Sequence, residues 1–171
     1  MRQTRTREVP AEPGSAEAAY AAGLKKLARQ PNSRAKLRQG LLRAGYEPAA
    51  VEGALGRLEE RGYLNDREYA AALVRRRSTD RGRSLITQEL RAKGIDGHDI
   101  AFVLNEGAGD ERAKALALGR RLLRQGIMDR GKLGARLARR GFSGGLVSSV
   151  LIELARELDS PDSFDTPQEP D

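Results

Sequence analysis

The sequence predicts an all-α protein: three tandem three-helix, helix-turn-helix-like repeats forming an elongated, curved molecule. Two observations predict it. The first is composition, because 24 alanines and 22 leucines stand against only 16 β-branched residues. Alanine and leucine are strong helix formers, whereas strands favour branched and aromatic side chains. The second is an internal repeat. The segments KLRQGLLRAGYEPAAVEGAL, SLITQELRAKGIDGHDIAFVL and KLGARLARRGFSGGLVSSVL align on Gly45, Gly94 and Gly141, which lie 49 and then 47 residues apart. A fixed period in that range marks supersecondary units that bury their cores partly against neighbours.

The alignment extends on both sides of the glycine. Eight residues before it stand Leu37, Ile86 and Leu133, and four before it Leu41, Leu90 and Leu137. One residue after it come Tyr46, Ile95 and Phe142; six after, Val51, Ile100 and Val147; ten after, Leu55, Leu104 and Leu151. Apolar residues four apart share one helix face, so each unit has a striped helix ending where a left-handed residue is needed, then a second striped helix.

In the first repeat, Tyr20, Leu24 and Leu27 mark a leading helix, Ser33 caps the next, Gly45 stops it, and Pro48 opens the third, where its missing N–H costs little. Gly62 is the next stop. In the second repeat Asp66 is placed as the cap before Tyr69, Leu73 and Val74, and Asp96 with Asp99 forms a capping pattern after Gly94. In the third, Asp110 precedes Ala115, Leu118 and Leu122; Gly126 stops that helix, Asp129 caps the next and Ser143 the last. The organisation read from these signals is a disordered tail over 1–14, repeats over 15–62, 63–107 and 108–158, and a disordered acidic tail over 159–171.

Composition excludes several chemistries. With no cysteine there is no disulfide scaffold, thiol nucleophile or thiolate zinc site, and a single histidine, His98, cannot build a multi-histidine metal centre. No nucleophile-base pair or nucleotide loop is visible, so neither an enzyme nor a cofactor is expected. His98 reads as a surface residue at a helix start, and Gly141–Gly145 as a helix-helix turn, since it lacks a preceding strand and a GK[ST] ending. Tyr20, Tyr46, Tyr63, Tyr69 and Phe142 read mostly as core residues rather than stacking platforms. No apolar run approaches the roughly 20 residues of a membrane span, and the N-terminus has no signal-like stretch, so a cytoplasmic monomer is expected.

Charge supplies the positive signal. The net charge is +7, and removing the five acidic side chains of residues 159–171 leaves +12 on residues 1–158. Arg75, Arg76, Arg77, Arg81 and Arg83 fall within nine residues, followed by Arg91. Arg120, Arg121, Arg124, Arg130, Lys132, Arg136, Arg139 and Arg140 form a second group in the third repeat. Arginine outnumbers lysine 25 to 6. Its planar fork binds phosphate or carboxylate bidentately, which suits a DNA backbone or an acidic protein surface. The acidic tail offers an intramolecular counter-charge to that surface.

The stretch Gly62-Tyr63-Leu64-Asn65-Asp66, then Tyr69-Ala70, Arg75 to Arg77, Gly82, Ile86, Glu89-Leu90 and Lys93-Gly94-Ile95, resembles the central signature of RecX, the bacterial regulator of the RecA recombinase. The helical plan extends the resemblance over about residues 15 to 158. Asn65 departs from it, standing where the family often has an acidic residue, and both tails are extra. The resemblance implies a non-enzymatic negative regulator. It would bind in the groove of the RecA–DNA filament and restrain strand exchange, ATP hydrolysis and coprotease activity. The filament- or DNA-binding residues are then expected to be Arg75, Arg76, Arg77, Arg81, Arg83 and Arg91 with Arg120, Arg121, Arg124, Lys132, Arg136, Arg139 and Arg140. The residues alone leave a second class open, a basic helical DNA- or RNA-binding protein that acts without RecA.

Overall fold

The computed structural model describes residues 10–107 and 110–159. Nine helices and no strand occur among the described residues: α1 (Ala16–Arg29), α2 (Arg34–Ala44), α3 (Pro48–Glu60), α4 (Asp66–Arg77), α5 (Arg83–Ala92), α6 (Gly97–Gly107), α7 (Glu111–Arg124), α8 (Arg130–Arg139) and α9 (Gly144–Asp159). They fall into two compact units. The first runs through Leu73 and includes Glu89–Leu104; the second comprises Val74–Gln88 and the chain from Asn105.

The first unit holds a core of Tyr20, Leu37, Leu41, Val51, Ala54, Leu55, Leu58 and Leu64, with α1 lying mainly along α3. The second has the corresponding core of Leu118, Leu122, Leu133, Leu137, Phe142, Val147, Val150 and Leu154, with α7 against α9 and α8. The leucine positions of the repeat alignment thus become the buried faces. Both cores share a close helix approach: a Cβ on Gly23 would stand 2.8 Å from the Leu58 side chain, and one on Gly119 would stand 2.5 Å from that of Leu154. Each glycine lies 22 residues before its repeat's stop, so the two crossings share one register.

Helix ends follow the local signals closely. Ser33 Oγ accepts from Lys36 N at 3.3 Å, Asp110 Oδ1 from Arg112 N at 2.8 Å, and Asp129 Oδ1 from Lys132 N at 2.7 Å. Asp96 Oδ1 accepts from His98 N and Asp99 N, at 2.8 and 3.1 Å. Gly45, Gly62, Gly94, Gly126 and Gly141 all have positive φ, as left-handed stops require. Of the aromatic positions expected mostly in the core, Tyr20 and Phe142 are buried, Tyr46 and Tyr69 are half-buried, and Tyr63 is 58% exposed. At the N-terminal side, Pro13 O accepts from Glu47 N at 2.8 Å, so the end of the predicted 1–14 tail contacts the start of α3. Residues 1–9 and 160–171, which include all but the first residue of the predicted acidic tail, lie outside the described residues.

One cap differs from the expectation. Asn65, not Asp66, caps α4, its Oδ1 accepting from Glu68 N at 3.1 Å. Asp66 is the first helical residue, and its Oδ1 accepts instead from Arg34 N of α2 at 2.6 Å. The carboxylate therefore caps a helix 32 residues earlier in the chain. Burial pushes the Asp66 carboxyl above its ordinary value, opposed by the Arg34 N–H. Asp66→Ala leaves that N–H without its acceptor and should cost about 0.5–2 kcal/mol, as a lost helix cap does. Asp66→Asn keeps an acceptor oxygen without a charge to desolvate and should match or exceed the parent at pH 7. Because the folded-state value is raised, the parent should gain stability relative to Asp66→Asn as pH falls through it. Urea unfolding of the three proteins at neutral and acid pH reads both effects.

Candidate cationic binding surface

The same junction is built twice, once in each unit. In the first, Ser33 Oγ donates to Lys93 O at 2.6 Å, Arg34 N to Asp66, and Ala35 meets Gly94, where an added Cβ would lie 2.4 Å from the alanine Cβ. In the second, Gly82 N donates to Arg140 O at 2.7 Å, Arg83 N to Glu111 Oε1 at 2.6 Å, and Leu85 meets Gly141. Ser33 and Gly82 each stand twelve residues before their repeat's stop. The second junction has a further link, Arg140 Nη1 to Asp80 Oδ2 at 2.5 Å. It brings the 80–83 loop, with Arg81 and Arg83, beside the turn after α8.

Twelve of the thirteen expected binding residues accordingly belong to the second unit; Arg91, exposed on α5, belongs to the first. Pairing sorts the twelve. Arg120 is held by Glu157 of α9 through two bonds, at 3.0 and 2.5 Å, and Arg112 pairs with Glu153 one turn earlier. Hydrogen bonding to Arg120 lowers the Glu157 carboxyl below its ordinary range. Arg83 Nη2 donates to Asn105 Oδ1 at 2.8 Å, Arg140 is engaged by Asp80, and the half-buried Arg77 and Arg81 each interact with other groups. Arg75 and Arg76 are exposed at the end of α4; Arg121 and Arg124 are exposed on α7, and Lys132, Arg136 and Arg139 on α8. Among the described residues these seven side chains have no carboxylate partner.

Four of the arginines converge. A groove of about 390 Å³ between α7 and α8 is lined by Arg121, Arg136, Arg139 and Arg140 with Leu118, Leu122 and Gln125, and among the described residues no carboxylate lines it. Arg140 has Asp80 as counter-charge, but Arg121, Arg136 and Arg139 have none among the described residues; guanidinium groups crowded in this way repel one another, and an anion relieves that cost. Sequence reasoning placed all four in the candidate set. It missed the acidic partners that remove Arg120 from the free charge, although Glu153 and Glu157, four apart on one helix face, were a readable signal. It also missed the cluster in the first unit where Arg34 pairs with Glu52 and Glu59, both at 2.9 Å, and Arg38 with Glu52. His98 is exposed at the start of α6, 3.9 Å from Asp99, and no group of side chains among the described residues could hold a metal ion.

A family model described as the first three-helix domain of RecX matches residues 19–58, and one described as the second matches residues 65–104. The regulatory protein RecX of Mycobacterium sp. (strain JLS) is 34% identical over 159 residues, covering 85% of this chain and 87% of that protein. The chain belongs to the RecX family. The RecX of Xanthomonas axonopodis pv. citri (strain 306) is 39% identical over 130 residues, covering 72% of this chain and 80% of its own length. The crystal structure of RecX from Lactobacillus salivarius superposes with a TM-score of 0.75 at 23% identity, covering 82% of this chain and 97% of that one. The fold is thus the RecX fold and the chain a RecX-type regulatory protein. No helix among the described residues is long and apolar enough to cross a membrane.

Proposed function

We propose that this RecX-family chain is a negative regulator of the RecA recombinase that binds the groove of the RecA–DNA filament and restrains strand exchange, ATP hydrolysis and coprotease activity. It acts by binding rather than catalysis. The observation that supports this reading best is family membership over most of the chain, joined to a second unit that concentrates exposed arginines without a carboxylate partner among the described residues. A ligand wrapped in a DNA-bound filament is met by spread positive charge with little sequence preference, and Arg75, Arg76, Arg121, Arg124, Arg136 and Arg139 supply it.

The test adds purified protein to preformed RecA filaments on single-stranded DNA at near-physiological salt and follows ATP hydrolysis, with binding to naked DNA measured in parallel. Hydrolysis should fall at protein levels far too low to coat the DNA. Inhibition only at DNA-saturating levels would instead assign the chain to nucleic-acid binding without RecA.

A further inference from the structure

The exposed charge of the second unit is unevenly built. On α7, Arg112 and Arg120 are neutralised by α9, while Arg121, the next residue after Arg120, is turned about 100° further round a helix of 3.6 residues per turn and lines the groove. On α8, Lys132, Arg136 and Arg139 follow one another at helical spacing on the exposed face, with the small Ala135 between them. Cations stand on both walls of the groove. Its apolar lining offers little to a protein partner, since Leu118 and Leu122 are only 7% and 6% exposed and belong to the core beneath. Protein interfaces centre on desolvated aromatic or aliphatic anchors, whereas a phosphate backbone asks for converging cations and little apolar surface.

We infer that the α7–α8 groove is a clamp for the phosphodiester backbone of a nucleic-acid strand. Arg121 contacts phosphate from one wall, Arg136 and Arg139 from the other, and Lys132 extends the row along α8. Arg140, also in the lining, is held by Asp80. All of these contacts go to phosphate, so binding is sequence-independent and strongly salt-dependent. The inference deepens the functional reading by naming the chemistry this surface meets, and rests on it for the claim that the chain meets nucleic acid.

The experiment uses the full chain, a labelled oligothymidylate and fluorescence anisotropy between about 50 and 200 mM salt, with RecA ATP hydrolysis measured on the same proteins. Arg136→Glu with Arg139→Glu should weaken binding by about tenfold or more and lower the log-log salt slope by about 1.4, two single-strand phosphate contacts' worth. Arg121→Gln, a milder change on the opposite wall, should lower the slope by about 0.7. It keeps the test decisive if the double reversal disturbs folding. Arg29→Glu with Arg43→Glu, exposed in the first unit, should bind as the parent does.

Groove variants that bind like the parent overturn the clamp. So does a parent that binds poly-glutamate but no oligonucleotide, which assigns the groove to an acidic protein surface. A parent that inhibits RecA without binding oligonucleotide overturns the clamp and leaves the functional reading standing. Oligonucleotide binding through the groove with RecA untouched supports the clamp and removes that reading.

Discussion

Gly141→Ala should destabilise the chain by about 3 kcal/mol or more, the largest effect expected of any single methyl group in the second unit. Two causes add. Gly141 has a φ of +89°, where a Cβ costs roughly 1–2 kcal/mol. That Cβ would also stand 2.5 Å from Leu85 Cβ and 2.7 Å from Leu85 N, inside any tolerable contact. Overpacking of this kind costs about 1–3 kcal/mol even where side chains can move, and here backbone must move. Gly82→Ala attacks the same joint from the other side. Its Cβ would lie 2.3 Å from Gly141 O, and the shift it forces threatens the hydrogen bond from Gly82 N to Arg140 O. Gly144→Ala and Gly145→Ala, in the first turn of α9 with nothing within 4 Å of the added carbon, should be neutral or slightly stabilising. Urea unfolding of the four variants checks the contrast. Parental stability in Gly141→Ala would show that the joint yields without cost.

Leu90→Ala should lower stability by about 2–5 kcal/mol, the cost of truncating a buried leucine and leaving a cavity. Leu90 is fully buried on α5, four residues before Gly94, and its carbonyl accepts from Ile95 N at 3.1 Å in the turn that ends the helix. Arg75→Glu with Arg76→Glu, at exposed positions without carboxylate partners among the described residues, should change stability by under about 0.5 kcal/mol. The pair separates fold from function: if both proteins are assayed against RecA filaments, loss of inhibition in the arginine variant at parental stability marks a contact, while loss in Leu90→Ala reports unfolding. Arg77 and Arg81 suit this purpose less well, because they are half-buried and already interact within the chain.

Much of the molecule was legible in the residues alone, for a physical reason that also marks the limit. Helix starts and stops depend on groups one to four residues apart, so Ser33, Asp110 and Asp129 as caps, Pro48 at a first turn and the five left-handed glycines could be read directly. The repeat alignment likewise predicted the buried faces, because identical local patterns bury identical positions. Asp66 shows where local reading fails. Two adjacent residues, Asn65 and Asp66, both suit an N-cap, and the choice between them was made by a helix start 32 residues away that needed an acceptor. Gly23 and Gly119 are similar: nothing nearby in the chain distinguishes them from other helical glycines, and their role comes from Leu58 and Leu154 on the helix packed across them.

The sequence by itself determined the all-α class, the three-part repeat, most helix boundaries and the excess of arginine, since each follows from composition or from spacing within a few turns. Only the tertiary structure decided which of those arginines are available. Arg120 and Arg121 are neighbours in the chain, yet one is fastened to Glu157, 37 residues on, and the other lines a groove with Arg136 and Arg139. Ion pairing falls off with distance in space and is indifferent to distance along the chain. The charge a protein can present to a partner is therefore settled only when its helices are packed.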